Sequence, residues 1–255
     1  MDLSTFCARF DELLAVGDYA DVDASANGLQ VGPPDGTVEK AAFAVDGAVA
    51  TFETAVERGA DVLVVHHGIS WGGIERVTGA DYRRVAPLIE NDLALYAAHL
   101  PLDGHPELGN AAGIADLLEL TRREPFGEMG PVAVGQRGHL PEPTTPAALV
   151  DRLRPALDTG DGDVRLLDFG PEEIEHVAVL TGSGTDWLGE AVAVGADVLI
   201  TGEGKQKVYH EAREAGINVV LGGHYATETF GVAALEDQAA EWGIETTFID
   251  EPTGL

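Results

Sequence analysis

GADVLVVHHG (residues 59–68) and GADVLITGEG (residues 195–204) agree at six of ten positions without a gap. The match is part of a longer one. Residues 38–68, VEKAAFAVDG…AVERGADVLVVHHG, lie over residues 174–204, IEHVAVLTGS…AVAVGADVLITGEG, at a constant offset of 136. Each copy reads as apolar strand, turn, helix and second apolar strand, the pattern of a βαβ unit with a parallel sheet. Further on, LALYAAHLPLDG (93–104) lies over INVVLGGHYATE (217–228) at an offset of 125 with one residue of end slack. His99 then falls on His224, and Asp103 on Glu228. The expected fold is α/β, with two related lobes from an internal duplication, each a sheet flanked by helices.

The intervening chain changes character. TRREPFGEMGPVAVG carries Pro and Gly and reads as a crossing segment into a second lobe. In PEPTTPAALVDRLRPAL, Thr145 or Thr144 is the expected N-cap and Pro146 the first helical residue. The helix TETFGVAALEDQAAEWG ends at Gly243, and IETTFID is the last strand. The expected division is residues 1–125 with 220–255 as a first lobe carrying the site, and residues 126–219 as a second.

Ligands in open α/β sheets gather beyond the carboxyl ends of the strands. Three strand ends carry titratable groups: His66 and His67 in VLVVHHG, His99 and Asp103 in LYAAHLPLDG, and His224 and Glu228 in VVLGGHYATE. Neighbours in a strand point to opposite faces. His66 and His67 therefore share a site only if the chain turns there, and Gly68 is read as the residue that permits the turn. His224 and Glu228, at i,i+4, share a face across one helical turn. Pro101, between His99 and Asp103, suits a first helical turn. Four imidazoles and two carboxylates exceed the needs of one tetrahedral zinc and fit two ions about 3.5–4 Å apart. His105, His139, His176 and His210 have no partners at these spacings and read as ordinary. Three further features stay open between a site role and a bland one. TGSG (181–184) reads as an anion nest or a plain turn. Glu203, where the first copy has His67, reads as an acid–base or substrate contact, the one catalytic candidate, or a solvated loop residue. Trp71 and Tyr225 read as base-stacking surfaces or core.

Composition limits the function classes. Among 255 residues, 44 are acidic and 15 basic, a formal charge of −29, and the only lysines are Lys40, Lys205 and Lys207. An acidic tail or calcium-binding module would account for this, as would a solvated surface suited to a high-salt cytoplasm. The acids form no long run, which favours the solvated, halophilic surface. No basic stripe is present to neutralise phosphates, which argues against nucleic acid and against an anionic membrane. No stretch approaches 18 uninterrupted apolar residues, so no membrane span is expected. Cys7 is the only cysteine, which fits a cytoplasmic protein. The N-terminal MDLSTFCARFDELL lacks the basic and apolar regions of a signal peptide.

HHG-x-x-W, AAHLPLD, TGEGKQKVYHEAREAG, GGHYATETFGVAAL and the early DASANGLQVG (23–32) together resemble the Nif-three-like family of dinuclear metal-centre proteins, whose bacterial and archaeal members are often labelled GTP cyclohydrolase I type 2 homologues. The likeness spans nearly the whole chain. It departs mildly after the two histidines, where Gly-Ile-Ser-Trp stands in place of the residues found in many relatives. The resemblance implies a metal pair in a cleft between two lobes, held by His66, His67, His99, Asp103, His224 and Glu228. It also implies a ring-shaped homohexamer and, for a cyclohydrolase, attack at C8 of GTP. The chain itself has neither a P-loop nor a guanine-reading NKxD stretch, and a two-metal phosphoesterase fits the ligand set equally. The expectation is therefore a protein holding two divalent ions (iron, zinc, manganese or nickel) and acting as a hydrolase on a nucleotide or phosphoester. The alternative is a non-enzymatic metal-binding, storage or regulatory protein.

Overall fold

The computed structural model describes residues 1–33 and 35–255. It contains two sheets. The first takes strands β1 (Gly28–Val31), β2 (Lys40–Asp46), β3 (Val62–His67) and β4 (Ala94–Ala97). The second takes β5 (Thr121–Met129), β6 (Val132–Thr144), β7 (Arg165–Leu167), β8 (Ile174–Val179), β9 (Val198–Thr201) and β10 (Asn218–Leu221). The last strand, β11 (Glu245–Phe248), joins the first sheet beside β2. The strand orders are β1-β4-β3-β2-β11 and β5-β6-β8-β9-β10-β7.

Both sheets contain the expected parallel triple. In the first, β2, β3 and β4 run parallel with helix Val49–Glu57 as the first crossover; in the second, β8, β9 and β10 run parallel with helix Leu188–Ala193 in the same place. β3, β4, β9 and β10 are almost continuously apolar and buried, as strands covered on both faces must be.

The duplication extends to single hydrogen bonds. Asp61 Oδ2 accepts from the backbone N–H of Glu39 and Lys40 at 2.8 and 2.9 Å. Asp197 Oδ2 accepts from Glu175 and His176 at 2.9 and 2.8 Å. In each copy the carboxylate that opens one parallel strand clamps the start of its neighbour. The third strands pair in equivalent register, Val62 with Ala94 and Val198 with Asn218. That register corresponds to an offset of 124, and the histidines fall at 125 because an extra glycine, Gly223, precedes His224.

The chain divides into two compact units, Met1–Leu102 with Val232–Glu251, and Asp103–Gly231 with Pro252–Leu255. The sequence reading set its boundaries instead at 125/126 and 219/220. The difference has a physical origin. TRREPFGEMGPVAVG is not a linker but the hairpin of β5 and β6, with Gly130 and Pro131 in its turn. Helix Asn110–Leu117 buries Ala111, Ile114 and Ala115 in the same core as Leu149, Leu153, Val177 and Ile200. The first unit has its own core around Phe52, Leu63, Leu88 and Leu95. Thr145 caps helix Pro146–Leu153 by accepting from the Ala148 N–H at 3.2 Å, with Pro146 in the first turn.

Removing a carboxylate that serves two strand-edge amides leaves both unsatisfied. Asp61→Ala and Asp197→Ala should each destabilise the protein by about 1–3 kcal/mol, read as a lowered midpoint in urea unfolding. An unchanged midpoint in both would show that these clamps do not hold the strand starts.

Candidate metal centre

In the first unit, β3 ends in His66 and His67, and β4 leads through Ala98 to His99. The three rings lie 4.6, 5.1 and 5.6 Å apart between centroids. One ligand nitrogen from each falls within 4.8 Å of the other two, a grouping that can hold a metal ion.

Each ring is aimed by an acceptor on Nδ1. His66 Nδ1 faces the Ala98 carbonyl at 2.9 Å, His67 Nδ1 faces Asp46 Oδ1 at 2.8 Å, and His99 Nδ1 faces Asp23 Oδ1 at 2.9 Å. A carbonyl or carboxylate can only accept, so Nδ1 carries the proton and Nε2 the lone pair of the neutral ring.

Asp23 and Asn27 form a brace from the DASANGLQVG segment. Asp23 Oδ1 also accepts from Ser25 N–H, and its Oδ2 from Asn27 Nδ2 and Leu100 N–H; Asn27 Oδ1 accepts from the His99 N–H at 2.7 Å. Burial alone would raise the Asp23 carboxyl, but the bonds from His99, Asn27 and Ser25 hold it down at about 2. The sequence marks this segment as a motif without showing its task, because its partners lie more than seventy residues away.

Gly68 has an ordinary φ, so left-handed backbone is not its purpose. A Cβ there would collide with the Gln30 amide. Gln30 Oε1 accepts from the N–H groups of Ile69 and Ser70, pinning the chain as it leaves the histidines. The glycine makes room for that pin. Trp71 is not core: it is 46% exposed, its Nε1 donates to the Gly68 carbonyl, and its ring stands edge-on to His99 at 4.9 Å. Tyr225, open between the same two roles in the sequence, is buried.

In the second unit the ligand types again gather beyond the parallel strands. His224 opens a short helix after β10, and its Nε2 lies 3.2 Å from Glu228 Oε1. Two donor atoms on one tetrahedral ion are roughly 3.4 Å apart when each is ~2.1 Å from it. Glu203 Oε1 takes Nδ1 of His224 at 3.1 Å and accepts from Ser183 Oγ, so the fourth imidazole is aimed as the first three are. Burial works against a charged His224, but the Glu228 and Glu203 carboxylates overcome it and raise the imidazole to about 9.

Asp103 and Glu228 are 8% and 2% exposed, and their carboxylate oxygens come within 4.8 Å of each other. Asp103 Oδ1 accepts from Asn110 Nδ2 at 2.8 Å and Thr181 Oγ1 at 3.1 Å. Two buried carboxylates this close are costly without a cation.

Gly182, in TGSG, has φ +58 and lies against the pair: a Cβ there would collide with Glu228 Oε1 and stand 3.1 Å from His224 Nε2. The amides of Gly182 and Gly184 donate to Thr227 and Thr201 hydroxyls, so TGSG is a packed turn and not an open anion nest. His105 Nδ1 accepts from the N–H groups of Glu107 and Leu108 and caps its own loop.

A profile of the family described as Duf34/NIF3 (NGG1p interacting factor 3) matches residues 1–254. A relative from Halobacterium salinarum, called "GTP cyclohydrolase 1 type 2 homolog", is 60% identical over the full length of both chains. One of the same name from Archaeoglobus fulgidus is 41% identical, also over both full lengths. Among solved structures, TTHA1606 from Thermus thermophilus superposes with a TM-score of 0.89 at 38% identity, and protein ybgI, titled as of unknown function, with 0.90 at 34%; each comparison covers both chains completely. The chain belongs to the DUF34/NIF3 family. Among the described residues no helix is long and apolar enough to cross a membrane.

The acceptors behind the imidazoles set their orientation. Asp23→Ala should lower metal affinity about 10–100-fold with the fold retained, measured by competition with a chromophoric chelator. Gly68→Ala should displace Gln30 and destabilise the protein by about 1–3 kcal/mol; wild-type stability for that variant would show that Gln30 is not a pin.

Proposed function

We propose that this is a dinuclear metal-binding protein and a metal-dependent hydrolase of a small molecule, a nucleotide or phosphoester. His66, His67, His99, Asp103, His224 and Glu228 serve as ligands to two divalent ions. The observation that carries this reading is the common setting of the four imidazoles, each with Nδ1 against an acceptor so that Nε2 is the ligating nitrogen. The buried carboxylates supply matching negative charge. The donor set suits iron, zinc, manganese or nickel.

When bound, such ions supply Lewis acidity and bring the pKa of a water toward neutrality. The chain's own residues do the rest. Asp23, Asp46, Glu203 and the Ala98 carbonyl hold the imidazoles in one tautomer and raise their basicity. Glu203, engaged with Ser183 and His224, is a positioning residue and not the acid–base catalyst. Trp71 leaves much of its ring exposed beside His99, a surface on which a planar ring can stack. The relatives' name favours a nucleotide. The same resemblance favours a cytoplasmic homohexamer, which the mass in solution would test.

A second reading has its own support: the family description names an interaction and not a reaction. On that reading the centre stores or presents metal without turnover. Metal-loaded protein assayed against GTP, other nucleotides and phosphoesters separates the two. The hydrolase reading expects turnover that falls by roughly 100-fold or more in His66→Ala and Glu228→Gln while both variants stay folded. No turnover by wild-type protein carrying two ions, with any of the four metals, would overturn it in favour of the binder.

A further inference from the structure

His139 and His176, which read as ordinary in the sequence, face each other across paired strands. They are register partners on β6 and β8, and their rings meet edge-to-face at 4.0 Å. Arg122 from β5 and Arg137 from β6 join them around a half-open cleft of about 140 Å³ that Glu124, Val194 and Ala196 also line. That is room for a small ion. Four of the chain's few cationic or imidazole groups thus converge in a protein of net charge −29.

Arg122 has φ +52, a left-handed conformation unusual for a side chain of its size, at an irregularity in the β5–β6 register. Irregularities of this kind re-aim a side chain, and here the re-aimed group is a guanidinium on the cleft wall. The acids nearby are Glu124, which pairs with Arg137, and Glu175, beside His176. Even with both present, desolvation and the neighbouring His176 and Arg122 hold the His139 imidazole below its usual range. Two guanidinium groups and two imidazoles stand here against two carboxylates, a surplus of groups able to carry positive charge. Two guanidinium groups would repel a metal ion. The cleft is also apart from the metal ligands: His176 is the third residue of β8, whereas Thr181, whose hydroxyl donates to Asp103, lies beyond the far end of that strand.

We propose that this cleft binds a tetrahedral oxyanion, either inorganic phosphate or the phosphate group of a small monoester, held by Arg122, Arg137, His139 and His176. Arg122 and Arg137 supply charge-assisted hydrogen bonds, and a protonated imidazole offers both ring nitrogens as donors.

The test is a phosphate titration of the full-length protein at a single fixed pH of about 7, followed through the imidazole NMR resonances of His139 and His176. This readout distinguishes the cleft from phosphate at the metal centre. Saturable shifts in both rings are expected. Arg122→Gly, which suits the backbone at that position, should weaken the effect by roughly tenfold or more; His139→Gln is the second variant and should weaken it likewise. Parallel titration with glycerol phosphate distinguishes the sources: equal affinity assigns the site to phosphomonoesters, and preference for the free ion assigns it to inorganic phosphate. No shift of either ring, or titrations indifferent to both substitutions, would overturn the proposal.

Discussion

An imidazole can ligate a cation only through a nitrogen that carries no proton, and a neutral ring settles which nitrogen that is by what its other nitrogen touches. Four histidines of this protein commit Nδ1 to a carbonyl or carboxylate, which leaves Nε2 to face an ion; in His224 that nitrogen lies against the Glu228 carboxylate, whose charge an ion would take over. Much of the local architecture serves it. The DASANGLQVG segment places Asp23 behind His99, the end of β2 places Asp46 behind His67, and the turn after β9 places Glu203 behind His224. The parallel strands bring these groups to one end of each sheet, where backbone geometry directs side chains outward from a buried core.

The two copies of the βαβ module solve the problem with different residues. At equivalent positions the first copy has Asp46 and His67, and the second has Gly182 and Glu203. In the first, the carboxylate stands on the earlier strand and supports a histidine on the later one. In the second, the carboxylate has moved to the later strand and supports His224, while the earlier position has lost its side chain altogether. That loss leaves space for Glu228, since any Cβ at Gly182 would collide with its carboxylate. The shared part, the Asp61 and Asp197 clamps, is structural; the divergent part is chemical.

The parallel triples and the candidate ligands were legible because they rest on local pattern: apolar runs, a repeated decapeptide, and i,i+4 spacing. What escaped the sequence depends on contacts between distant segments. Asp23 carries no mark of its bond to His99. Gly68 reads as a turn residue because the Gln30 amide that needs its space lies far back in the chain. His139 and His176 read as isolated because strand pairing, not spacing, brings them together. The hairpin of β5 and β6 reads as a linker because Gly130 and Pro131 mark a turn as readily as a boundary. Trp71, which the sequence leaves open between a stacking surface and core, is half exposed beyond the strand end with its ring edge-on to His99.

The central claim is that these side chains exist to hold metal through Nε2. Anomalous diffraction at the iron, nickel, zinc and manganese edges, from crystals of protein purified without added metal, tests it most directly. The account predicts two peaks per chain, contacted by Nε2 of His66, His67, His99 and His224 and by the carboxylates of Asp103 and Glu228. Absence of any peak beside these histidines after metal loading, or coordination through Nδ1, would contradict it.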